Sequence, residues 1–181
     1  MRDPMAAPIK ALIHELIRDV PDFPRPGILF KDITPLLEDV AGFRAAITQL
    51  AACVEPHAPA ALVAIESRGF IIGAPLALHM GLPLVLVRKP GKLPRQIESV
   101  AYQLEYGEDR LEVHVDAIRP GTRYAIVDDV LATGGTAEAV AKLIGRLGGL
   151  VICQAFLIEL GFLEGRGRLG ASGVESLISY A

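Results

Sequence analysis

A chain of 181 residues, 51% of them apolar and 22% charged, is of single-domain size and long enough to bury roughly 70% of the surface its unfolded form exposes. Its longest apolar runs are strand-length, which excludes a membrane span. A net charge of −3 argues against a nucleic-acid partner, which would call for a basic face.

Taken in chain order, the opening MRDPMAAPIK lacks the charged-then-apolar pattern of a signal sequence, which points to the cytoplasm. Residues 5–20 predict an amphipathic helix, with Ile9, Leu12, Ile13, Leu16 and Ile17 on one stripe. Pro21, Pro24, Pro26 and Gly27 end it. A second helical stretch runs from about Gly42 to Val54. From Ala60 the pattern alternates: strand Ala61 to Ile65, helix Gly69 to Met80, strand Pro83 to Val87. It resumes with strand Tyr124 to Val127, helix Thr136 to Leu147 and strand Leu150 to Glu159. Strands separated by helices of this length predict βαβ crossovers, hence a doubly wound α/β domain over residues 1–181 with a mainly parallel sheet and helices on both faces.

Residues 88–123 interrupt the alternation. Arg88, Lys89, Lys92 and Arg95 stand among Pro90, Gly91 and Pro94, and the following SVAYQLEYGEDRLEVHV suits an exposed hairpin. Such an insertion reads as a lid or as a surface arm. Cys53 and Cys153 are far apart and read as reduced and buried. His14, His57, His79 and His114 are scattered, so neither residue type suggests a metal site.

The most informative run is YAIVDDVLATGGT, Tyr124 to Thr136. An apolar strand ends in Asp128 and Asp129, then turns through Thr133-Gly134-Gly135-Thr136 into a helix. Backbone N–H groups and two hydroxyls thereby point at one helix N-terminus, where an anion is favoured. A carboxylate beside a phosphate repels it but accepts hydrogen bonds from a vicinal diol, so the two features together read as sugar plus phosphate in one ligand. A P-loop is excluded because Gly91-Lys92 is followed by Leu93. The literal dinucleotide fingerprint Gly165-Arg166-Gly167-Arg168-Leu169-Gly170 opens no helix and lies too near the chain end.

Glu66-Ser67-Arg68-Gly69 follows the strand at Ala61 to Ile65, so it falls on the same edge as the acidic loop. Arg68 is either a fork for a diphosphate or a solvated arginine at a helix start. Phe30, after the proline cluster, suits core packing or stacking on a flat ligand.

PDFPRPGILFKDITPLLED (21–39), ESRGFIIGAPLA (66–77), VRKPGKLP (87–94), YQLEYG (102–107) and VDDVLATGGT (127–136) together resemble adenine phosphoribosyltransferases, in that family's order and over most of the chain. The acidic loop by itself indicates the wider type I phosphoribosyltransferases; PGILF with LEYG narrows it. The resemblance implies a type I fold with an N-terminal helical base-binding region and a β-hairpin lid over about 91–107. It implies transfer of the phosphoribosyl group of phosphoribosyl pyrophosphate to adenine, giving AMP and pyrophosphate in purine salvage, by a homodimer with Mg²⁺ bound mainly through substrate oxygens.

By the same resemblance Asp128 and Asp129 bind the ribose hydroxyls, and Ala132, Thr133, Gly134, Gly135 and Thr136 wrap the 5′-phosphate. Arg68 and the Ser67 backbone face the pyrophosphate with Lys89 and Lys92, one of them from a neighbouring subunit in one arrangement. Leu29, Phe30 and Lys31 belong to the adenine pocket, Lys31 standing where many members have Arg. Glu105 takes the place of the proton-transfer carboxylate, and the Glu66–Ser67 bond is implied to be cis. Two other functions are open: transfer to another purine base, and a non-enzymatic regulator that senses phosphoribosyl pyrophosphate and binds nucleic acid. The acidic balance and Glu105 speak against the second.

Overall fold

The computed structural model describes residues 6–103 and 108–181, and the chain divides into two compact units, Met1–Gln49 and Leu50–Ala181.

In the first unit, helix α1 (Ala6–Glu15) is followed by strand β1 (Arg18–Pro21), strand β2 (Leu29–Asp32), the short helix α2 (Thr34–Glu38) and the start of helix α3 (Val40–Val54). The helix expected over 5–20 therefore stops at Glu15. Ile13 and Ile17 of its stripe are buried, but the next residues form a ladder with β2, with Asp19 opposite Lys31 and Val20 opposite Phe30. Val20 precedes Pro21, which disfavours helical backbone, and pairing with β2 satisfies the amides that a helix would have used. Between the strands, Asp22 accepts a 2.7 Å hydrogen bond from the Gly27 N–H, and the Phe23–Pro24 bond is cis. Helix α3 starts two residues earlier than Gly42, where Asp39 accepts from the Gly42 N–H at 2.6 Å, an N-terminal cap of the usual kind.

The second unit is a five-stranded parallel sheet in the order β4-β3-β7-β8-β9. Along the chain come β3 (Ala61–Ile65), helix α4 (Arg68–Met80), β4 (Leu84–Val87), β5 (Ile97–Gln103), β6 (Glu108–His114), β7 (Arg123–Leu131), helix α5 (Gly135–Arg146), β8 (Leu150–Leu160) and β9 (Gly173–Tyr180). All five residues of β3 are buried, as a strand covered on both faces requires. Ala61, Val63 and Ile65 join Val140, Leu143 and Ile144 of α5 in one apolar cluster. The alternate residues face α4, where Gly73 comes so close that a Cβ would lie 2.7 Å from the Ala64 Cβ. The two helices thus cover opposite faces, the doubly wound arrangement.

Three features differ from expectation. Strand β7 does not end at Val127 but runs to Leu131, because pairing with β8 continues through Asp128↔Phe156 to Leu131↔Glu159. A fifth strand, β9, closes one edge; it is reached through two 3₁₀ turns, Gly161–Leu163 and Gly165–Arg168, so no helical periodicity announces the crossover. The hairpin β5–β6 forms in register from Ile97↔His114 to Gln103↔Glu108, but it is not an exposed arm. Val100, Leu111 and Val113 are buried in the same cluster as α5, which makes the hairpin's base part of the core. Among the described residues no helix is long and apolar enough to cross a membrane.

Candidate active site

The carboxyl ends of β3 and β7 are neighbours in the sheet, so the two strand-to-helix loops expected to share a ligand do meet. After β3 the Glu66–Ser67 bond is cis, and α4 starts at Arg68. Gly69 lies against the end of β7: a Cβ there would come within 2.8 Å of Asp128 Oδ1 and 3.0 Å of the Val127 carbonyl oxygen. Only glycine permits this approach.

It brings Arg68 Nε to 2.5 Å from Asp129 Oδ2. The contact is an ion pair by distance without an aligned hydrogen bond, since Oδ2 is buried and accepts none. Asp128 Oδ1 accepts from the Asp129 N–H at 2.9 Å. Burial, and then the adjacent Asp129 charge, push the Asp128 carboxyl well above the usual carboxylate range. Two carboxylates are therefore held beside each other at a cost that a diol donor or a cation would relieve.

The 132–136 loop follows directly. Gly134 adopts φ +79° as the residue before α5, and its carbonyl accepts the Glu138 N–H at 2.9 Å. Asp128, residues 132–136 and Phe156 line a small pocket of about 80 Å³ at this helix N-terminus, the right place for an anion. A larger pocket of about 330 Å³ lies at the opposite edge of the sheet, between the residues leading into β3 and the end of α4.

Glu66, which sequence reasoning passed over, organises the basic segment. Its carboxylate accepts from Arg88 Nε at 3.2 Å, from the Lys89 N–H at 3.0 Å and from the Lys92 ammonium. Burial alone would raise its pKa, but the Lys92, Lys89 and Arg88 contacts outweigh it and hold the group at about 2. The missed signal was a carboxylate at a strand end with four basic residues some twenty-five positions on. Lys92 is thus turned toward Glu66, while Lys89 Nζ lies 3.7 Å from Asp109 Oδ2. Tyr102 donates to the same Asp109 oxygen at 3.4 Å. Burial raises the Tyr102 pKa against a bond to Thr136, and Asp109 raises it further, which sets the hairpin beside the phosphate loop.

The three residues expected for the base lie in the first unit. Leu29 is exposed, and Phe30 packs edge-on to Phe23 with ring centroids 5.2 Å apart and planes at 74°. Lys31 is buried, and its ammonium pairs with Asp19 Oδ1 at 2.6 Å across the β1–β2 ladder. Glu105 lies outside the described residues.

A phosphoribosyl transferase domain model matches residues 34–165. An adenine phosphoribosyltransferase from Synechococcus is 56% identical over 93% of this chain and 98% of its own length. The structure of an adenine phosphoribosyltransferase from Rhodothermus marinus, 50% identical, superposes with a TM-score of 0.90 over 96% of this chain and 99% of that one. One from Saccharomyces cerevisiae, complexed with D-2,5-dideoxy-2,5-imino-altritol 1,6-bisphosphate and adenine, is 36% identical with a TM-score of 0.91 over 94% of this chain and 99% of that one. A domain model over most of the chain, with relatives of this identity matched over nearly their full length, shows that the chain belongs to the adenine phosphoribosyltransferase family.

Proposed function

We propose that the protein transfers the phosphoribosyl group of phosphoribosyl pyrophosphate to adenine, releasing pyrophosphate and forming AMP for purine salvage. The observation that carries this reading is the succession Asp128, Asp129, then the 132–136 loop on the α5 N-terminus, with Arg68 held against Asp129. One short stretch of chain thereby offers acceptors for a ribose diol and donors for its 5′-phosphate, and Arg68, from the neighbouring loop, adds a guanidinium for its diphosphate. Adenine is the base by family membership, and the yeast relative was crystallised with adenine.

In this mechanism pyrophosphate leaves the anomeric carbon as positive charge builds on the ribose, comparable to glycoside cleavage. Asp128 and Asp129 orient the ribose through its hydroxyls, and their charge favours the cationic ring. Arg68, with the Ser67 backbone, receives the departing diphosphate. Lys89 and Lys92 adjoin it, and exchanging their carboxylate partners Asp109 and Glu66 for diphosphate oxygens is part of binding. The base nitrogen attacks the anomeric carbon on the face opposite the departing pyrophosphate, and Glu105 takes the proton that the imidazole ring must lose. Water is excluded by closure of a lid over about residues 91–107.

Mg²⁺ fits this donor set. Among the described residues no group of three potential ligands gathers, and the adjacent carboxylates Asp128 and Asp129, the latter paired with Arg68, suit a hard cation that takes most of its oxygens from substrate and water. When bound, it neutralises charge on the departing diphosphate. Leu29 and Phe30 form the base-stacking surface of the first unit, with Lys31 fixed through Asp19 rather than presented as a free cation.

The protein is a homodimer in this proposal. Ile71 and Leu78, seven residues apart on one face of α4, and Leu86 on edge strand β4 are exposed apolar side chains that favour a covered face. Cys153 is buried as expected while Cys53 is only half-buried, and neither is in a disulfide, which suits the cytoplasm. The deciding experiment compares pyrophosphate release with adenine and with hypoxanthine. Adenine is expected to have at least about a hundredfold higher kcat/KM, because a pocket that pairs the exocyclic amine leaves its own groups unpaired against an oxo group. Comparable values for the two bases overturn adenine as the acceptor.

A further inference from the structure

A cluster of charged side chains that the mechanism leaves unused lies behind the phosphate loop. Glu159 is the strand partner of Leu131, the last residue of β7 before that loop. Its carboxylate is largely buried and takes a two-pronged bond from Arg166: Nε to Oε1 at 2.9 Å and Nη2 to Oε2 at 2.5 Å. Ser176 Oγ donates to Oε2 at 2.6 Å. Arg166 Nη1 donates to the Val174 carbonyl at 2.7 Å. The guanidinium therefore ties the 3₁₀ turn Gly165–Arg168 to the end of β8 and the first half of β9, with the planar fork that only arginine supplies.

The residue before Arg166 touches the loop. Gly165 is buried, and a Cβ on it would run into the Ala132 carbonyl oxygen and come within 2.9 Å of the Gly134 nitrogen. Reciprocally, a Cβ on Gly134 would lie 2.5 Å from the Gly165 carbonyl oxygen. Two glycine backbones thus lie against each other, and the loop's amides keep their aim only while the turn behind them stays in place.

We propose that Glu159 and Arg166 are positioning residues for the 5′-phosphate: their ion pair holds Gly165 against residues 132–134 and so fixes the loop that binds the phosphate. This rests on the phosphoribosyl reading above and extends it to residues that touch no substrate. Arg166 does not itself reach the phosphate in this arrangement, since it is engaged by Glu159, Val174 and Ser176 on the far side of Gly165.

The test uses Glu159→Gln and Arg166→Lys, with Gly165→Ala as the reference lesion. Two quantities are measured on each: steady-state constants for both substrates, and calorimetric binding of ribose 5-phosphate, which reads the loop without base or diphosphate. Each of the two milder variants is expected to weaken ribose 5-phosphate and raise the KM for phosphoribosyl pyrophosphate about five- to tenfold, the size of coupling through packed neighbours, with the KM for adenine and kcat within about threefold. Combining Glu159→Gln with Gly165→Ala is expected to cost less than the product of the separate effects, because both act on one element. Unchanged phosphate affinity in the folded milder variants overturns the proposal. So does an equal loss in both KM values and kcat, which would make the pair a general support of the fold. A parent protein that binds ribose 5-phosphate but does not transfer to adenine sinks the adenine reading and leaves this one standing, whereas one that binds neither sinks both.

Discussion

Arg68 Nε lies 2.5 Å from Asp129 Oδ2, so the cation proposed for the diphosphate and a carboxylate proposed for the ribose diol are coupled before any substrate enters. Arg68→Lys keeps the charge but removes the planar fork. The expected result is a rise of about tenfold in KM for phosphoribosyl pyrophosphate, about 1.4 kcal/mol, with the adenine KM little changed. Steady-state kinetics with each substrate varied in turn checks it, and an unaltered KM for phosphoribosyl pyrophosphate would remove Arg68 from the diphosphate site.

Asp128→Asn is expected to stabilise the fold while abolishing transfer. The folded-state pKa of Asp128 is raised, first by burial and then by Asp129, so the folded protein holds a proton there more tightly than the unfolded chain does. The penalty for ionising it is absent below the unfolded value, grows as pH rises toward the folded one, and is fully present above that. Removing the charge lifts the penalty at neutral pH. Melting curves at pH 7 should show a Tm higher by several degrees, and a variant with a lower Tm would contradict the electrostatic account.

For Glu66 the sign is opposite. Its folded pKa, about 2, is depressed below the ordinary value of 4.5, so it contributes stability that is present above the unfolded pKa and is lost as pH falls through the folded one. Glu66→Gln should lower Tm at pH 7 and flatten the fall in Tm between about pH 4.5 and about pH 2. An acid-melting profile identical to the parent's would show that the clasp is energetically idle.

Glu105→Gln replaces a proton acceptor with an amide of nearly the same size. General acid–base help is worth about 10²- to 10⁴-fold, and a loss in that range is expected in single-turnover rates even if product release limits kcat. Affinity for phosphoribosyl pyrophosphate should stay nearly unchanged. Single-turnover rates within about threefold of the parent would exclude Glu105 from the proton transfer, since general acid–base help is far larger.

What the sequence by itself determined is local in the chain. The alternation of β3, α4, β4 and of β7, α5, β8 was legible because apolar runs and helical spacing need only neighbouring residues, and the Asp128–Asp129 pair before Thr133-Gly134-Gly135-Thr136 is one contiguous piece of chemistry. What only the tertiary structure decided depends on pairings between distant segments. Arg18 to Pro21 became a strand because Leu29 to Asp32 lies alongside, overriding the apolar stripe that ran on to Ile17. The hairpin's base was buried by α5, although its polar–apolar alternation equally suited an arm in solvent. Glu66 acquired its role from a lysine 26 residues away, and Gly165, set aside with a fingerprint that opens no helix, turned out to back the phosphate loop. A backbone approach between two glycines leaves no pattern of hydrophobicity or charge in the chain, so only the folded arrangement reveals why each must lack a side chain.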